Sequence, residues 1–119
     1  MQEIININKS GTILYLSMGV YNIYAIGGWH VELGKFEVSF KNMETDIKIF
    51  PEKSLLKLQD FYKNEKIKKI FSVIVNKGGE YEINFIHQNS IILKKYGFPL
   101  SYFLNKIDSK EIEILIKRN

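Results

Sequence analysis

Cysteine is absent from this 119-residue chain. Disulfides, thiolate metal sites and a cysteine nucleophile are therefore excluded. Histidine occurs twice, at His30 and His87, and the pair lacks the close spacing of helical metal ligands. Aspartate occurs only at positions 46, 60 and 108, far apart along the chain. No G-x-G-x-x-G, Walker lysine motif or G-x-S-x-G elbow is present, which disfavours nucleotide binding and serine hydrolase chemistry. Arginine is limited to Arg118 against 16 lysines, and arginine is the fork that reads phosphates and base edges. Long apolar runs are missing too. Residues 11–30 alternate and carry glycines, whereas a spanning helix needs about 20 mostly apolar residues. The opening Met1-Gln2-Glu3-Ile4-Ile5-Asn6 sets an acid and amides where a signal peptide has basic residues. The expected location is the cytoplasm, with no membrane partner.

What is present is ordinary globular material: 45% hydrophobic and 25% charged residues, enough for one core and one domain spanning 1–119. Ile, Lys and Asn contribute 19, 16 and 10 residues, and all three have A/T-rich codons. The net charge of +4 thus reflects base composition as well as any acidic partner.

Hydrophobic periodicity predicts strands through the first half: residues 4–8, 12–18, 20–26 and 29–33, with glycine-rich breaks between them. Lys35 to Lys41 alternates cleanly, with Phe36, Val38 and Phe40 on the inward face. Pro51 and Glu52 then look like a helix start, and Leu55, Leu58 and Tyr62 recur at helical spacing as far as Asn64. Ile67 to Asn76 reads as a central strand. Glu80 to His87 alternates again, and Gly78-Gly79 between the two predicts a β-hairpin. A short helix is expected over 99–107, and a last strand places Ile112, Ile114 and Ile116 on one face. The predicted fold class is α+β: a single antiparallel sheet of about five to seven strands, with one main helix and one short helix packed on it.

No catalytic constellation emerges, and no metal or cofactor site is predicted. Glu80/Glu82 and Glu111/Glu113 are i, i+2 pairs on predicted strands, a pattern that suits a solvated strand face better than acid–base work. The feature with most binding potential is the basic region from the predicted helix into the central strand. It comprises Lys53, Lys57, Lys63, Lys66, Lys68 and Lys69, with Tyr62 either an aromatic anchor or part of the helix's core face.

The segments Lys68 to Val75 and Lys77 to Phe85 resemble the strand–Gly turn–strand signature of small bacterial immunity proteins of the YezG-like type, over roughly residues 67–106. This chain departs from that pattern in having Phe71 where the family carries Trp, and in lacking acids in Phe85-Ile86-His87-Gln88-Asn89. The resemblance implies a non-catalytic protein that binds and neutralises a cognate toxin, often a nuclease domain. The net charge suggests that such a toxin offers an acidic contact surface. The alternatives are a small nucleic-acid-binding protein, resting on lysines and aromatic strands, and a small enzyme built on His30, His87 or the paired glutamates. The lysine-over-arginine bias predicts no specific nucleic-acid partner.

Overall fold

The computed structural model describes residues 2–28, 30–54, 59–94 and 107–119. Strands make up 62% of these residues and helical turns 6%, with no helix of seven or more residues. The α+β expectation is overturned: the described residues are nearly all β and form three antiparallel sheets rather than one.

The strands in chain order are β1 (Gln2–Asn6), β2 (Thr12–Leu16), β3 (Gly19–Ile26), β4 (His30–Glu32), β5 (Glu37–Asn42), β6 (Lys48–Ile49), β7 (Glu52–Lys53), β8 (Gln59–Tyr62), β9 (Glu65–Val75), β10 (Gly79–Ile86), β11 (Ile92–Lys94) and β12 (Glu113–Arg118). The largest sheet runs β1-β12-β3-β9-β7, and β8 also pairs with β9. The second runs β2-β10-β5-β6, and β11 pairs with β4 in a small third sheet. All three contribute to one core. Tyr21, Ile23, Phe71 and Ile114 come from the first sheet, Phe40, Ile83 and Phe85 from the second, and Val31 and Leu93 from the third.

The alternating runs behave as period-two patterning demands. Phe36, Val38 and Phe40 are buried, as are Tyr81, Ile83 and Phe85; Ser39, expected on the wet face of its strand, is buried as well. The C-terminal segment is a strand, and Ile112, Ile114 and Ile116 are buried as expected. It lies in the middle of its sheet, between β1 and β3, and Leu115 on its other face is buried too. A bulge opposite Ile23/Tyr24 inserts one extra residue into β9, so the consecutive residues Ile70 and Phe71 are both buried.

The expected main helix is replaced by strands. Pro51 precedes the two-residue β7 rather than a first helical turn. Gln59 to Tyr62 forms β8, which pairs with Glu65 to Lys68 of β9. Leu55, Leu56, Lys57 and Leu58, the centre of the apolar helical stripe, lie outside the described residues, as does the expected short helix as far as Lys106. The physical reason for the replacement is β9 itself. It is 11 residues long, β3 takes one of its edges, and the other edge needs partners for its N–H and C=O groups. Strands satisfy that row; a helix cannot. The β8–β9 loop is only Lys63-Asn64, with φ of 47° and 67°, the double left-handed geometry of a type I′ hairpin turn.

The Gly78-Gly79 hairpin is also overturned. β9 and β10 lie in different sheets, so residues 76–78 carry the chain across the core instead of folding it back. A second crossing, Ser17-Met18, links β2 to β3 beside it: a side chain on Gly78 would lie 3.8 Å from Ser17 Cα. A buried tyrosine pins each crossing by donating its hydroxyl to the carbonyl four residues earlier, Tyr21 to Ser17 at 2.8 Å and Tyr81 to Lys77 at 2.6 Å.

Asn42, at the end of β5, anchors the turn into β6. Its buried Oδ1 accepts the backbone N–H groups of Glu44 at 2.9 Å and Thr45 at 3.1 Å. Asn42→Ala would strand both donors and is expected to cost about 1–3 kcal/mol in thermal denaturation. Asn42→Asp keeps the acceptor and is expected to recover most of that loss; equal losses for the two variants would remove Oδ1 as the cause.

Candidate protein-binding surface

The sequence-derived lysines do not form one patch. Lys63 sits at the tip of the β8–β9 hairpin, and its ammonium lies 5.3 Å from the centre of the Tyr62 ring. Along β9 the side chains alternate, so Lys66 and Lys68, opposite Phe61 and Gln59, leave from one face. Lys69, opposite Tyr24, leaves from the other. All three are half-buried, and Lys66 and Lys68 have interaction partners of their own. Lys57 lies outside the described residues. Tyr62 is half-buried at the end of β8, so its place on a helical core face is lost along with the helix.

Lys53 reaches a concave surface. It leaves β7, and its Nζ approaches the Gly34 carbonyl at 3.4 Å. With Glu37 it edges a cavity of about 310 Å³ whose apolar lining is Val38, Phe50, Pro51 and Phe71. A second cavity of about 200 Å³ lies on the other side of Phe50, among Ile49, Glu52, Ser72 and Ile74.

Local chain direction creates this surface. β6 belongs to the second sheet and β7 to the first, so Phe50-Pro51 is where the chain passes from one to the other. Proline keeps the residue before it extended and offers no N–H to a ladder, which suits a short crossing between two strand ends. Phe50 is thereby held at the seam with 55% of its surface exposed, above the buried Val38 and Phe71. Ile74, 63% exposed, shares the second cavity with Phe50 and stands opposite Val20 in the β3–β9 register. Met18, also exposed, lies two residues before Val20, in the crossing from β2. Phe50, Ile74 and Val20 thus form an exposed apolar strip, with Glu52 beside it and with Glu37 and Lys53 at the first cavity. Arg118 Nη2 donates to the Met18 carbonyl at 2.6 Å and ties the end of β12 to the crossing from β2.

The charged pairs singled out in the sequence play smaller parts. Glu82 accepts from Asn84 at 2.8 Å on the outer face of β10. Glu111 falls in a 3-10 turn rather than on β12 with Glu113, so those two do not share a strand face. His30 Nε2 lies 3.4 Å from Glu32 on β4, and His87 adopts a left-handed φ of 58° where β10 ends. Among the described residues no three His, Asp or Glu side chains form a group able to hold a metal ion, and no helix is long and apolar enough to cross a membrane. Phe50 was missed in the sequence. The available signal was an aromatic residue directly before Pro51, masked by the reading of that proline as a helix start.

No family model matches the chain, and no curated protein or solved structure is significantly similar to it.

Proposed function

We propose that this chain is a non-catalytic protein-binding domain that holds its partner against the apolar strip centred on Phe50. The observation that carries the reading is the exposure of Phe50, which lines both cavities, and of Ile74, which lines the second beside it. Large apolar side chains gathered on a surface mark interaction sites, and aromatic anchors set into pockets dominate binding energy. In its specific form the domain is an immunity protein and the partner a bacterial toxin with an acidic contact surface. That form rests on the sequence resemblance alone, since the Gly78-Gly79 turn of the signature carries the chain between two sheets; Lys53, at the cavity beneath Phe50, is the charge nearest the strip. The remaining lysines, Lys63, Lys66, Lys68 and Lys69, would act at longer range by raising the association rate.

The test is affinity measurement between the purified protein and the protein that copurifies with it from nuclease-treated lysate of its source cells. Phe50→Glu is expected to weaken that complex by about 30-fold or more, the scale of a hot-spot residue, while the melting temperature stays within a few degrees. Charge reversal of Lys63 and Lys69 is expected to slow association and leave dissociation unchanged. Equal affinity for wild type and Phe50→Glu would refute the assignment of the strip. Submicromolar, sequence-preferring oligonucleotide binding would replace the protein-binding reading with a nucleic-acid one.

A further inference from the structure

The strands at the sheet edges are protected unequally. β1 carries Glu3, β6 is two residues long with Lys48, β7 is Glu52-Lys53, and β8 carries Asp60. Such charges and short lengths are the usual means of keeping an open edge from pairing with another chain. β2 has neither device. Its sequence Thr12-Ile13-Leu14-Tyr15-Leu16 has no charged residue and no proline, and among the described residues it pairs with β10 alone, at the end of its sheet. Ile13 is 50% exposed and Tyr15 67% exposed, and Leu14 on the opposite face is only partly buried. In a strand with one neighbour, alternate N–H and C=O groups point away from that neighbour.

We propose that β2 pairs with β2 of a second copy of this chain, joining the two four-stranded sheets into one antiparallel sheet of eight. The strand's own sequence favours a copy of itself as the occupant. An antiparallel pairing centred on Leu14 sets Ile13 opposite Tyr15 of the second copy, and Tyr15 opposite its Ile13. Aromatic against β-branched is a favourable cross-strand pair, and the two-fold axis makes it twice. Thr12 and Leu16 face each other in the same way at the ends.

Charge does not oppose the contact. In the β2–β10 register Glu82 stands beside Ile13 and Glu80 beside Tyr15, so each apolar pair would be flanked by one glutamate from each copy. Those two carboxylates would be three strand spacings apart, about 14 Å. That exceeds the screening length of about 8 Å at physiological ionic strength. Glu82 also has Lys41 as its cross-strand neighbour on β5. The contact is small, one five-residue strand from each copy, so the dimer is a weak one.

Sedimentation velocity from about 10 µM to 1 mM, where interfaces below the standard size associate, is the first measurement. Wild type is expected to pass from monomer to dimer mass across this range, and Tyr15→Lys to remain monomeric with an unchanged melting temperature. The cysteine-free chain offers a second, independent readout. Opposite residues in an antiparallel pair have Cα atoms about 4.5–5.5 Å apart, within disulfide reach. Leu14→Cys is expected to oxidise to a covalent dimer roughly tenfold faster than Ile47→Cys, a control at a residue that is 63% exposed. A monomer at every concentration, dimerisation of Tyr15→Lys like that of wild type, or equal cross-linking at positions 14 and 47 would each overturn the proposal.

Discussion

Phe36→Ala is expected to destabilise the domain by about 3–5 kcal/mol, the usual cost of truncating a buried phenylalanine. Phe36 is fully buried just before β5. Its ring stacks on Phe85 of the second sheet at 6.1 Å with an interplanar angle of 8°, and is tilted 46° against Phe71 of the first sheet at the same distance. One side chain therefore holds both sheets, and the loss would combine transfer, cavity and aromatic-pair terms. For a domain of this size the melting temperature should fall by roughly 10–25 °C. Phe36→Leu keeps part of the volume and should lose less than half as much. The cavity edged by Lys53 lies against Phe71, so the truncation should also loosen the floor beneath Phe50. A fall of only a few degrees for Phe36→Ala would mean that the two sheets are joined mainly elsewhere.

Gly34→Val should be nearly as damaging, at about 2–4 kcal/mol. Gly34 has a φ of 56°, and a Cβ there would sit 3.0 Å from the carbonyl oxygen of Ser90. Strain and overlap with a backbone atom act together, and β-branching makes the left-handed conformation worse. The turn around Gly34 is closed by the Phe36 N–H donating to the Leu33 carbonyl at 2.9 Å, and it delivers Phe36 to the joint between the sheets. Gly78→Ala is the informative contrast. The nearest atom to a Cβ there would be the Tyr15 hydroxyl oxygen at 3.4 Å, at the end of an exposed side chain, so a change within about 1 kcal/mol is expected. Urea denaturation of the two variants side by side checks both. A smaller loss for Gly34→Val than for Gly78→Ala would reverse the assignment.

Local patterning made a good part of this domain legible. Alternation in Lys35 to Lys41 and Glu80 to His87 named six inward residues, all of them buried; Ser39 on the other face of β5 is buried too, which the alternation did not show. The C-terminal isoleucines worked in the same way. The helix reading failed at Glu52–Lys53 and Gln59–Tyr62, which are strands, because a helical recurrence in the sequence takes no account of what stands beside it. The unfilled edge of β9, some residues further along, outweighed that local preference.

The candidate site was less legible than the fold. Lys53 was found through its charge, yet charge alone grouped it with lysines that the β8–β9 hairpin distributes over a tip and two faces. Phe50 becomes a site residue only because β6 and β7 lie in different sheets.

The sequence by itself determined the absence of cysteine chemistry, most of the strands and most of their buried faces. These depend on composition and on neighbours within a few residues. The tertiary structure alone decided which strands pair, whether Gly78-Gly79 turns the chain back or carries it across, and which apolar side chains remain in water. β9 and β10 carry a strong local hairpin signal, yet β3, β7 and β8 take the edges of one and β2 and β5 those of the other. Each strand has only two edges, and the contest for them is settled between segments distant in sequence, where burying both apolar faces in one shared core outweighs the preference of any turn.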